Sequence, residues 1–388
     1  MRGILWILAS LMVASVATDV GAKGTTATSA EIDAFLSAHW QDPPAANTAA
    51  AEGWGPLELS LEPEKCATCH APQYEAWKES RHAIAVSPGL EVQSRANPQG
   101  FDSCYTCHAP LREQRKAPGG APQNPEYRPE LAEHGVMCAS CHVRDGKVYG
   151  PPPRDPERSA KGTPGLPHGG FEVSQAYTRS AFCATCHQFS ENGFRIEGVL
   201  LENTHNEWRE SRYAEAGVQC QDCHMPDRKH AFKGIHDPEM TASGLDVTLT
   251  REGSREVRFA VTNSGVGHRF PTYVTPRVTV VLEGRSDGEV VKRAEHVIQR
   301  RITLDLQTQE FDTRLAPDET AEVVLSWWFW TSIDEVVGYV YVEPDEFYHR
   351  FFRNFTPAGP ELMPLLEQAQ AETSESPFRI LERRMVFD

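Results

Sequence analysis

The chain has no cysteine to spare. Its ten cysteines fall into five Cys-x-x-Cys-His pentapeptides. These are Cys66, Cys69 and His70; Cys104, Cys107 and His108; Cys138, Cys141 and His142; Cys183, Cys186 and His187; and Cys220, Cys223 and His224. A disulfide framework would not impose one spacing five times. A zinc site needs no histidine directly after each pair, and a thioredoxin-like redox pair would occur once, near a βαβ unit. No cysteine precedes Cys66, so no lipoprotein anchor is expected. Basic residues are also short: 38 Lys and Arg face 54 Asp and Glu, a formal charge of −16, which argues against nucleic-acid binding. The run Ile4 to Ala17 is too short for a comfortable membrane span, and no later stretch is long and apolar enough to predict one.

The repeated pentapeptide is the c-type haem attachment signature. Its two thiols form thioethers to the vinyl groups of a haem, and the adjacent histidine reaches the iron as proximal ligand. Five motifs therefore predict five covalently bound haem c groups. Met1-Arg2 followed by a short apolar run reads as a secretory signal over residues 1–22. Haem attachment outside the cytoplasm agrees with it, so a periplasmic or extracellular location is expected.

Composition changes near residue 242. Before it the chain is dense in His, Cys, Pro and Gly. After it cysteine vanishes and apolar residues alternate, as in Leu245 to Thr250 and in Val257, Phe259 and Val261. Further strands are expected at Arg277–Leu282, Glu322–Ser326 and Gly338–Val342. The fold class expected is α+β. An N-terminal multihaem domain (25–242) with short helices and long loops precedes an Ig-like β-sandwich (243–355), and a C-terminal helix and tail follow (356–388). Short helices are expected at Ser29–Trp40 and Pro360–Ala371. Tyr74 to Ala83 and His205 to Ala214 echo each other, with Trp77 and Trp208 as anchors and Tyr213 where the first copy has His82. Haem supplies the buried apolar mass of the first domain, so the apoprotein is expected to be largely unfolded.

Ten histidines lie outside the motifs. Five of them as sixth ligands would make every haem bis-histidine and low-spin, whereas a missing one would leave an open iron. His82 follows His70 by about three helical turns on an amphipathic segment. His230 and His236 share a short loop after the fifth motif. His168 sits in a Pro/Gly-rich loop, and His268 follows glycines that let the backbone approach a macrocycle. These five are the expected distal ligands, with His134 in reserve. His205, His39, His296 and His349 read as ordinary helix, surface or strand histidines. Met137, Met225 and Met240 are alternative axial ligands.

The first motif followed by Tyr74, Trp77, Ser80 and His82 resembles the cytochrome c-554 family. Gly135 to His142, Cys220 to Pro226 and Gly267 to Thr272 resemble a broader secreted multihaem group. The resemblance implies a haem domain followed by a β-domain, with electron transfer through closely packed haems. It supports His82, His230 and His236 as ligands. An electron carrier serving redox partner proteins is therefore expected, rather than an enzyme. Whether it works free, as a homo-oligomer or as a subunit of a larger complex stays open. The alternative is a multihaem oxidoreductase with one open haem, acting on a small nitrogen or sulfur compound. No motif replaces its histidine by lysine, which speaks against that alternative.

Overall fold

In a computed structural model, the structure describes residues 27–387 apart from 43, 48–53, 97–101, 118–122, 155–166 and 358. The expected signal segment, 1–22, lies outside the described residues. The architecture is α+β. Short helices and loops fill the first part, and antiparallel sheets dominate after Leu245.

Local chemistry sets the helices. Ser29–His39 starts at Thr28, whose hydroxyl accepts from Glu31 N at 3.3 Å while the Glu31 carboxylate accepts from Thr28 N at 2.7 Å. Asp102–His108, Cys138–His142, Ala181–His187 and Cys220–His224 each carry one motif. The first motif lies inside Pro63–Trp77, which kinks at His70 (φ −114°, ψ 39°) just before Pro72. Pro72 cannot donate to the helix ladder, so a kink here has a cause in the sequence.

The echo between the two Trp segments is structural. Trp77 Nε1 donates to Val136 O at 2.8 Å, and Trp208 Nε1 donates to Val218 O at 3.0 Å. Val136 lies two residues before Cys138, and Val218 two before Cys220. Val136 N donates to His82 O at 2.8 Å, and Val218 N donates to Tyr213 O at 2.9 Å. Each copy thus fixes the backbone that leads into a later motif.

The β-region is two facing sheets. One orders Thr320–Ser326, Glu256–Asn263 and Leu245–Gly253; the other orders Phe378–Val386, Glu335–Glu343, Arg277–Ser286 and Glu289–Ile298. Period-two alternation aims Val257, Phe259 and Val261 inward, where they pack with Val280, Leu282, Val336 and Val340. Gly338 has no side chain because the Phe259 ring passes 2.8 Å from where its Cβ would sit. Two strands of these sheets go beyond the expected set, as does the separate short pair Arg300–Ile302 and Gln309–Asp312. Glu289–Ile298 is mostly exposed, and it and Phe378–Val386 carry four charged residues each, so neither alternates cleanly. Both are edge strands, where charge is tolerated. The last strand of the larger sheet therefore lies in the segment 356–388 set apart by sequence. The helix Met363–Glu375 instead packs on Pro88–Ala96 through Val92, Phe352, Leu366 and Ala369.

This β-core needs no cofactor. The expectation of an unfolded apoprotein narrows accordingly. Apoprotein is expected to keep strand signal in far-UV circular dichroism while losing the helical contribution. Phe259 is fully buried, so Phe259→Ala is expected to cost about 3–5 kcal/mol, measured as a shift in the urea transition of the holoprotein.

Candidate cofactor site

A single cavity of about 3170 Å³ runs through the first part of the molecule and against the β-region. Ordinary small-molecule pockets reach only about 1,000 Å³. All ten motif cysteines and all five motif histidines line it, and so do His82, His168, His230, His236 and His268. His134, His205, His39, His296 and His349 do not border it. His39 differs from its expected surface place. It is buried among Phe35, Trp40, Tyr149, Tyr177 and Phe182, and burial lowers its pKa to about 3.

Within each motif the two thiols are three residues apart and share a helix face. The motifs also adjoin one another. Cys66 lies beside Cys138, Cys107 beside Cys186, and Cys183 beside Cys220. The second motif therefore adjoins the fourth, the fourth adjoins the fifth, and the first adjoins the third.

Three motif histidines face a second imidazole. Ring centroids are 6.2 Å apart for His187 and His82, 6.1 Å for His142 and His230, and 6.4 Å for His224 and His268. Two rings on opposite sides of one metal stand roughly 6 Å apart, being two metal–nitrogen bonds of about 2 Å plus the ring radii. His70 and His168 are electrostatic neighbours and form a fourth association.

The rings are also held the right way round. Nδ1 donates to a carbonyl in His108 (Ala85, 2.8 Å), His142 (Tyr149, 2.8 Å) and His224 (Lys233, 2.7 Å). The same bond forms in His168 (Gly170, 2.6 Å), His230 (Arg228, 2.9 Å) and His268 (Arg269, 2.8 Å). Nε2 is thereby left as the acceptor nitrogen, as metal-ligating histidines require. Burial lowers the pKa to about 3 in His82 and about 4 in His142 and His268. Neutral imidazole, the ligating form, is thus favoured at neutral pH. Paired thiols, paired neutral rings and the cavity's size fit haem c.

His236 is oriented differently. Its Nε2 lies 3.0 Å from both carboxylate oxygens of Asp345, so the nitrogen expected to face iron is engaged by an acid. Burial pushes Asp345 up, but the His236 hydrogen bond and charge bring it below its ordinary value. Among the described residues, no second histidine ring pairs with His108.

Other residues shape the site without a sequence signal. Tyr177 stacks on His142 at 5.3 Å, and Phe232 meets His82 edge-on at 4.4 Å. The β-region is fastened here through buried groups. Arg314 donates to Glu207 at 2.9 Å and to Asp312 at 2.8 Å, and Arg300 donates to Leu200 O at 2.6 Å.

Residues 65–143 match the model of the family described as cytochrome c554 and c-prime. Among solved structures, the chain is similar to a penta-haem cytochrome c552 from Thermochromatium tepidum. Identity is 20%, the TM-score is 0.61, and the match covers 86% of this chain and 100% of that one. No curated protein matches the sequence. The five motifs and the family match over residues 65–143 support a multihaem c-type cytochrome resembling the c-554 family, with a C-terminal β-region. The likeness to the solved structure is one of fold.

Glu202, deep in the cavity wall, tests the electrostatics. Burial raises its carboxyl from 4.5 to about 7, against the lowering effect of Thr204, whose hydroxyl donates to it at 2.5 Å. The folded chain holds this proton to higher pH than the unfolded chain. The contribution to stability is therefore full below about pH 4.5 and is lost as pH rises through 7. Glu202→Gln is expected to stabilise the holoprotein more at pH 8 than at pH 5, by up to about 3 kcal/mol in urea titrations. Equal effects at the two pH values would contradict the raised pKa.

Proposed function

We propose that this protein carries electrons in the periplasm or outside the cell through five covalently bound haem c groups. The observation that carries the reading is the single cavity lined by all ten motif cysteines and ten histidines. When bound, the haems supply the one-electron ferric/ferrous couples between which electrons hop. The chain's residues set the order of the path. Neighbouring thiols join the first motif to the third, and the fourth to both the second and the fifth. Burial of Cys141 near Cys183 and Cys186 links the third motif to the fourth.

Axial pairs are assigned as His70 with His168, His142 with His230, His187 with His82, and His224 with His268. Partners are redox proteins that meet a surface of formal charge −16. Among the described residues no helix is long and apolar enough to cross a membrane.

A second reading attaches to one motif. Among the described residues no imidazole faces His108, and His236 is held by Asp345. The second iron is then open to a small ligand, and the protein gains oxidoreductase capacity at that haem.

Purified holoprotein is expected to give five haems per chain by pyridine haemochrome assay, with four low-spin ferric signals by EPR. His82→Ala is expected to convert one further iron to high-spin. A haem count below five would sink the carrier reading. An unchanged spectrum in the variant would sink the His82 assignment. Failure of CO to bind the reduced wild type would remove the second reading alone.

A further inference from the structure

The loop between the strands Thr320–Ser326 and Glu335–Glu343 runs from Trp327 to Ile333 without a charge. Its two ends are buried. Trp327 and Ile333 belong to the sandwich core, and Trp327 meets Phe387 edge-on at 5.4 Å. The next three residues do the opposite. Trp328, Phe329 and Trp330 are 66%, 72% and 68% exposed. Val386, also exposed, lies at the same pole, since it pairs with Glu335 just past the loop. Contiguous exposed apolar surface of this kind marks an interaction site.

The loop is held in one shape. Trp327 N donates to Arg255 O at 3.0 Å, and Asp334 N donates to Arg285 O at 2.9 Å. The Asp334 carboxylate accepts from Asp287 N at 2.7 Å, and Lys292 Nζ donates to Ser326 O at 2.5 Å. At the crest, the Trp328 and Trp330 rings stack at 5.3 Å and 8°, and Phe329 meets Trp330 edge-on at 4.8 Å. A crest ordered beforehand loses little conformational freedom on binding.

Size and charge select what the crest meets. Three aromatic side chains of this exposure offer roughly 400 Å². A stable protein interface takes about 800 Å² from each partner, so a second copy or another protein would have too little to hold. A bilayer needs no matching patch, because aromatic rings partition by themselves into the headgroup region. Charges of both signs ring the base, with Arg255, Arg285 and Lys292 beside Asp287, Glu289 and Asp334. That mixture suits zwitterionic headgroups better than a partner of one sign.

The crest also lies far from the cofactor cavity. It adjoins the Glu256 end of the strand Glu256–Asn263, where Glu256 pairs with Ser326. At the other end Asn263 donates to His268 O at 3.0 Å. A strand of 8 residues at about 3.3 Å each separates the two ends by roughly 25 Å. We propose that Trp328, Phe329 and Trp330 insert into the headgroup region of a phospholipid bilayer. They hold the protein on a membrane surface and leave the haem cavity on the aqueous side. No membrane-crossing helix is needed, and the contact is independent of how each iron is ligated.

Holoprotein is floated with vesicles of phosphatidylcholine, alone or with an equal part of phosphatidylglycerol, and haem absorbance is read in the lipid fraction. The wild type is expected to float with both. Combining Trp328→Ser, Phe329→Ser and Trp330→Ser is expected to weaken partition by about a hundredfold, since binding follows the apolar area buried. Phe329→Ser alone is expected to weaken it less, and Arg255→Ala hardly at all. An unchanged haem count, EPR spectrum and urea midpoint report that each variant is folded.

Three results would overturn the proposal. Wild type that floats with neither vesicle removes the membrane contact. Flotation only on phosphatidylglycerol, equal in the triple variant, assigns binding to surface cations rather than to the crest. A wild-type dimer in analytical ultracentrifugation that the triple variant abolishes, with no flotation of either, makes the crest a contact between copies of the chain.

Discussion

Two imidazoles that share one iron must meet it from opposite sides, neutral, with the same nitrogen forward. That demand organises most of the first part of this molecule. A backbone carbonyl behind six of the rings fixes their tautomer, at Ala85, Tyr149, Lys233, Gly170, Arg228 and Arg269. Carbonyls free to do this occur where helices are short and loops long. The poor regular structure around the cavity follows from the ligation chemistry. The apolar clusters here are correspondingly small, such as that of Leu61, Trp77, Leu111, Leu131, Met137 and Ala139.

The β-region answers a different need. His268 can face His224 only if the loop carrying it is held still, and its own sheets supply that stiffness. The fastening is polar and buried. Arg314 is satisfied by Glu207, Asp312 and the Thr272 carbonyl, while Thr272 donates to Glu207 at 2.9 Å. A buried ion pair so completely bonded adds little net stability over an apolar contact. Its directionality fixes one docking geometry, which an apolar patch would leave free to slide. A ligand delivered across an interface needs that register.

The sequence made the cofactor legible because covalent attachment leaves a fixed pentapeptide. It made the alternating strands legible for the same reason that alternation exists, one face in and one out. Pairing was not legible. His82 follows the first motif yet meets His187 of the fourth, and His230 follows the fifth yet meets His142 of the third. Chain order carries no information about which haem a loop will cross. His236 shows the same limit from the other side. It shares a loop with His230, but its ring is taken by Asp345, 109 residues away.

The paired Trp segments show how one local design serves two ends. In both copies an indole and a backbone carbonyl grip the residues entering a motif, through Trp77 and His82 for Cys138 and through Trp208 and Tyr213 for Cys220. The carbonyl contact is indifferent to the side chain, so that position is free to vary. In the first copy it carries an imidazole that turns toward His187. In the second it carries a phenol that donates to Ser264 O at 2.7 Å, and its ring lies 3.4 Å from where a Cβ on Gly267 would sit. Gly267 directly precedes His268. The second copy has no histidine at this position, and its tyrosine instead braces the loop that carries His268, the proposed partner of His224. Under the proposed axial pairing, replacing the histidine moves the ligand role across the interface, and the interface would have to be rigid for it.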